Sequence, residues 1–240
     1  MDAPTPSFAR RFRWPIAIVV ALVLAVTAGP FIYINFVKED PAPRLSLGDV
    51  TTTTGAGTTE PSTDTPAEGV DGTWTTTDQS VVQYRVKEVL FGQDTEATGT
   101  AEGVAGTAEI SGTTVAAVDV EVDMATFTSD ESQRDRQFQG RIMETSEFPT
   151  ATFTLTEPID LGALPADGEQ ITVEATGDLT MHGVTKSITF ELTAVLTGST
   201  FAANATIPIT FTDYGIDDPS GGPASVGTDG ELELLLVFSR

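Results

Sequence analysis

The stretch VDVEVDM, residues 118–124, alternates without a break: Val118, Val120, Val122 and Met124 fall on one side of an extended chain, Asp119, Glu121 and Asp123 on the other. A period of two belongs to a β-strand with one buried and one wetted face. The same period returns along the chain: Val82, Tyr84 and Val86; Ala151, Phe153 and Leu155 against threonines at 150, 152, 154 and 156; Ile171, Val173 and Ala175, then Leu179 and Met181; Ile188, Phe190, Leu192 and Ala194; a row from 201 to 211; and Leu232, Leu234, Leu236 and Phe238. With a glycine-punctuated run at 98–110, these rows predict about eight strands in one all-β domain over residues 69–240. Eight antiparallel strands can close into a barrel whose interior holds side chains or one elongated ligand.

Alternation reports two faces and not which one is outward. A membrane pore would carry its apolar face outside and a polar lumen. The strands are short, lack aromatic girdles and bear a very acidic polar face, so the apolar face is placed inward.

The one interruption is SDESQRDRQFQGRIMETSEF, residues 129–148. Ser129 or Ser132 can cap a helix, acids follow in its first turn, and Phe138, Ile142 and Met143 repeat at helical spacing. One or two short helices are expected across one end of the barrel, as a plug that completes the core or a lid over a cavity. Arg134 or Arg136 can fasten this segment by a charge-assisted bond to Asp135, Asp130 or a carbonyl.

Composition limits the chemistry. The net charge is -23, and residues 38–240 carry 34 acidic side chains against 9 basic ones, which repels nucleic acid. There is no cysteine and a single histidine, so thiolate nucleophiles, disulfides and multi-imidazole metal sites are absent from the chain. Oxygen ligands alone would give weak calcium or magnesium binding. No catalytic residue and no cofactor are assigned.

Upstream, RRFR at 10–13 precedes WPIAIVVALVLAVTAGPFIYINFV at 14–37, two dozen residues without a charge. That length and flank predict a single transmembrane helix acting as a signal-anchor. Residues 1–13 then form a cytoplasmic tail, and the C-terminal domain lies outside the cytoplasmic membrane. Val26, Thr27 and Ala28 form a small-residue site at which cleavage near Ala28 would release a secreted form. Residues 38–68, rich in Thr and Pro and poor in large apolar side chains, read as a disordered linker.

The only histidine sits in TMHGVTK, residues 180–186. Gly183 permits the positive φ of a tight turn, so His182 is read as part of a turn between two strands. Contact with a ligand head is a second role open to it. Catalytic base is a third, although no nucleophile in a triad context accompanies it.

Several blocks together carry a family resemblance: DGTWTTTDQSVVQYRVKEVLFG at 71–92, the Arg134–Asp135 pair with Phe138, FPTATF at 148–153, HGVTK at 182–186 and IPITFTDYGI at 207–216. Over residues 69–240 the chain resembles the YceI-like family. It departs from the usual pattern at Ser187, where proline is common, and at Met143, where an aromatic is frequent. The resemblance implies a lipocalin-like, extracytoplasmic barrel that encloses a polyisoprenoid or isoprenoid quinone without catalysis. Val82, Tyr84, Val120, Val122, Phe153, Leu155 and Phe190 are then expected as tunnel walls, and Phe138, Ile142, Met143 and Phe148 as the cover of one end. Arg134, Asp135, His182 and Gly183 are expected in structural roles. The alternative is a non-catalytic structural or interaction domain at the cell envelope with a filled barrel.

Overall fold

The alternating rows become strands of one antiparallel sheet that closes on itself in this computed structural model, which describes residues 18, 19, 21, 22, 28, 29, 31–34, 38–51, 70–222 and 224–240. The chain divides into two compact units, Met1–Asp40 and Pro41–Arg240. The strands of the second unit are β1 (Gly72–Thr76), β2 (Val81–Leu90), β3 (Gln93–Ala101), β4 (Val104–Ser111), β5 (Thr114–Asp123), β6 (Thr128–Ser129), β7 (Thr150–Leu155), β8 (Ile159–Asp160), β9 (Gln170–Met181), β10 (Val184–Thr197), β11 (Thr200–Thr210) and β12 (Ala224–Ser239).

Eight strands close the ring, in the order β1, β4, β5, β7, β9, β10, β11, β12 and back to β1. β12 is long enough to pair with β2 over its first part and with β1 at its last residues. β2, β3 and β6 continue the wall at one end, and β8 adds to β5 at the other. The run at 98–110, read as one strand, is interrupted between β3 and β4.

Register follows from the side-chain pattern, because a slip of one residue would turn every apolar side chain to water. β9 and β10 are joined by His182 and Gly183 alone, with Met181 opposite Val184. Both turn residues have positive φ, 51° and 74°, the type I′ geometry whose twist matches a hairpin. On the wetted face threonines pair across the strands, Thr176 with Thr189 at 2.9 Å and Thr180 with Thr185 at 2.8 Å, each pair adding a few tenths of a kcal/mol.

Residues 124–149 cross one end, at the β9–β10 turn. Met124–Thr126 form a 3₁₀ turn, Ser132–Gln137 an α-helix, and Phe138–Ile142 a π turn. The helix begins at Ser132, but its N-cap is Glu131, which makes no side-chain cap. The wider π turn, closed by Met143 N–H on the Phe138 carbonyl at 2.8 Å, lets Phe138 and Met143 both reach the core.

The N-terminal expectation is corrected. Residues 1–17 lie outside the described residues, as does most of 14–37, where the described positions 18, 19, 21, 22, 28, 29 and 31–34 are helical. Among the described residues no helix is long and apolar enough to cross a membrane. A charge-free run is necessary for a spanning helix and not sufficient, because roughly twenty consecutive residues must also stay helical to cross the hydrocarbon core. The calls that rested on this helix fall with it: the signal-anchor, the single-pass placement with an extracytoplasmic domain, and membrane partnership through the N-terminus. Of the predicted linker, 52–68 lies outside the described residues. Residues 41–50 are described and lie along the outer face of β2, β3, β11 and β12.

Candidate functional site

The inward side chains do not fill the barrel. A cavity of about 150 Å³ runs through it, lined at the helical end by Met124, Phe127 and Met181 and at the other by Leu161, Leu164, Pro165 and Leu196. Of the side chains around it, Thr152 is the one that bears a hydroxyl, and the indole N–H of Trp74 is satisfied by the Val70 carbonyl at 2.9 Å. Several wall residues, Phe153, Val173, Phe190, Leu192, Leu232 and Leu234, point inward yet remain only partly buried. Their remaining accessible surface faces the cavity. An apolar void of this size stays dry and admits an apolar guest.

Of the residues read as tunnel walls, Val82, Val120, Val122, Phe153, Leu155 and Phe190 line the cavity. Phe153 and Phe190 meet edge to face with centroids 5.5 Å apart. Gly177 makes this possible: a Cβ there would sit 2.4 Å from the Phe153 ring. Tyr84 is not in the lining. It stacks on Phe138 at 5.2 Å, and Phe127 contacts both rings at 5.7 and 5.0 Å. Phe127, which the sequence reading passed over, therefore connects the wall to an aromatic cluster that closes the end. Burial pushes the pKa of the Tyr84 phenol well above its ordinary range, with Asp135, Asp130 and Glu88 adding to the effect and Arg134 opposing it.

Among the residues expected to cover that end, Phe138 and Met143 are buried in the core and Ile142 packs against it. Phe148 packs on the imidazole of His182 with centroids 4.6 Å apart. It leaves no room for a side chain at Gly183, where a Cβ would lie 2.6 Å from its ring. His182 itself is held from two sides. Its Nδ1 lies 3.2 Å from the Tyr214 carbonyl, to which it must donate, and its Nε2 lies 3.2 Å from Glu144 Oε2. His182 does not line the cavity, so a base acting on a guest there would have to work from outside it.

Arg134 and Asp135 do not pair with each other. Arg134 bonds Asp130 one turn back and lies 3.6 Å from the Glu88 carboxylate, while Asp135 accepts from the Ser129 hydroxyl at 2.6 Å and its N–H at 2.8 Å. Arg141, which no sequence signal marked, donates to the carbonyls of Asp218, Pro219 and Ser220 at 2.9, 2.8 and 3.1 Å. The end segment is thus tied to β2, to the β9–β10 turn and to the loop before β12. These directional bonds fasten the segment across the end of the barrel. Among the described residues no group of three or more His, Asp or Glu side chains could hold a metal ion.

A family model described as YceI-like domain matches residues 74–238. A UPF0312 protein of Pseudomonas putida strain GB-1 is 30% identical over 123 residues, covering 48% of this chain and 60% of the relative. One of Pseudomonas fluorescens strain SBW25 is 33% identical over 122 residues, covering 48% and 59%. The chain thus spans about 60% of the length of these relatives. Among solved structures, a polyisoprenoid binding domain from Saccharophagus degradans, implicated in plant cell wall breakdown, superposes with a TM-score of 0.58 at 17% identity, over 73% of this chain and 99% of that one. BcnA of Burkholderia cenocepacia gives 0.54 at 18% identity, over 66% and 96%. At these identities the likeness is one of fold.

Proposed function

Because the chain belongs to the YceI-like family, we propose that its barrel binds a long-chain isoprenoid or similar apolar lipid in its interior. The observation that carries this reading is the almost wholly apolar lining around a cavity that the side chains leave open. Area removal supplies the affinity, roughly 0.8 kcal/mol for each buried CH₂, or about 4 kcal/mol per five-carbon unit before ordering costs. Such binding discriminates weakly between chain lengths. The relative from Saccharophagus degradans, described as polyisoprenoid-binding, supports the choice of ligand class. Val82, Val120, Val122, Phe153, Leu155 and Phe190 contact the chain in this reading. Phe138, Tyr84 and Met143 serve it indirectly by sealing one end.

The role is carriage or storage without catalysis. The filled-barrel alternative, a purely structural or interaction domain, draws no support from walls that keep accessible surface inside. Organic extraction of the purified protein followed by mass spectrometry tests the proposal. An isoprenoid or quinone in stoichiometric amount is the expected result. A lipid-free extract, together with no uptake of a prenyl quinone by the folded protein, would overturn it.

A further inference from the structure

The outer face of the barrel bears a second site. Where β2, β3, β11 and β12 meet, Gln83 and Glu233 are each 1% exposed and Arg85 is 6% exposed, although all three point away from the core. Arg85 Nε donates to Glu233 at 2.8 Å and its Nη1 to Glu96 at 3.0 Å. A buried ion pair on the outside of a barrel wall is costly in desolvation unless its remaining hydrogen bonds are met. They are met by residues 41–47, PAPRLSL.

What those side chains bind is main chain. Arg85 Nη2 donates to the Ala42 carbonyl at 2.6 Å, Gln83 Nε2 to the Pro43 carbonyl at 3.2 Å and Asn204 Nδ2 to the Leu45 carbonyl at 3.0 Å. Thr98 Oγ1 accepts from the Ala42 N–H at 3.0 Å and Glu233 from the Leu45 N–H at 3.2 Å. Pro43 has no N–H, and its position is read through its carbonyl alone. Arg44 reaches Glu231 and Glu233 at 2.7 and 2.6 Å. Leu47 is buried on Ala202, Leu235 and Val237, with Leu45 packed beside it. Backbone bonds at five points, one cation and two leucines form the kind of pattern by which a groove reads an extended peptide.

We propose that this face is a peptide-docking groove for an extended Pro-x-Pro-Arg-Leu-x-Leu segment, and that its occupant, residues 41–47 of the same chain, is held reversibly.

The test uses the full chain with a protease recognition sequence inserted after Gly57. After cleavage of the folded protein, the N-terminal fragment should stay with the barrel on gel filtration. A labelled synthetic peptide of residues 38–51 should then displace it, with a midpoint in the micromolar range. Peptides carrying Arg44→Ala or Leu47→Asp should need at least tenfold more. In the uncleaved chain, the Ala42 and Leu45 amides should exchange with solvent at least a hundredfold faster than those of central β12. Three outcomes would overturn the proposal: a fragment that leaves at once with no peptide binding, a fragment that never exchanges, or a barrel that unfolds on cleavage. Amides at 42 and 45 that exchange only with global unfolding would do the same, independently of any cleavage.

Discussion

Replacing Phe190 with aspartate tests the closed apolar interior directly. The ring forms part of the cavity wall against Phe153, and no side chain of that lining is charged. An aspartate in its place finds no cation and stays neutral, so its folded pKa rises above the unfolded value of about 3.9. Keeping it protonated at pH 7 costs about 4 kcal/mol, at 1.36 kcal/mol per pH unit over roughly 3 units. Loss of the ring's burial adds about 2 kcal/mol, the lower part of the usual range because the ring already borders a void. A loss near 6 kcal/mol at pH 7 is comparable to the whole stability of a domain. The sign with pH follows from the raised pKa. As pH falls toward the unfolded value the protonation cost shrinks, so at pH 5 about 2.7 kcal/mol returns. Urea denaturation at both pH values, each referred to the unsubstituted protein, measures this. Glu191→Ala, on the exposed side of the same strand, should change stability by less than about 0.5 kcal/mol. A loss for Phe190→Asp below about 1 kcal/mol, equal at both pH values, would refute the reasoning, because the carboxylate would then be reaching water.

Other expectations follow from single contacts. Ala203→Phe adds a ring to the cavity wall and should lower prenyl quinone uptake at least tenfold with the fold retained, read by fluorescence titration beside circular dichroism. Gly183→Val combines positive φ with collision against Phe148 and should cost about 2–4 kcal/mol in the denaturation midpoint. Gly99→Ala places a Cβ 2.3 Å from the Tyr84 ring; it should cost about 1–3 kcal/mol and weaken the near-ultraviolet signal of the Tyr84, Phe127 and Phe138 cluster. Arg134→Ala removes the guanidinium shared by Asp130 and Glu88 and should cost about 1–3 kcal/mol, with faster hydrogen exchange across 130–143.

The strand rows and the inward face were legible in the sequence because alternation is local: one residue of slip exposes a whole row, so the pattern at 118–124 or 188–194 admits one orientation. The hairpin at His182 and Gly183 was legible for the same reason, since positive φ is a property of the residues in the turn. Phe127 and Arg141 were not, because their partners lie far along the chain. Nor was the outer groove, although LELLLVF at 232–238 departs from alternation: Leu235 and Val237 are apolar on the side that strict period two assigns to water, the mark of a strand covered on both faces. The sequence by itself determined the alternating strands and their inward face, the position of the helical crossing and the chemistry the chain lacks. The tertiary structure decided that the interior is hollow, that the crossing is bolted down, and that residues 41–47 lie in a groove. Each of those depends on volumes and distances between strands remote in sequence, which no local period encodes.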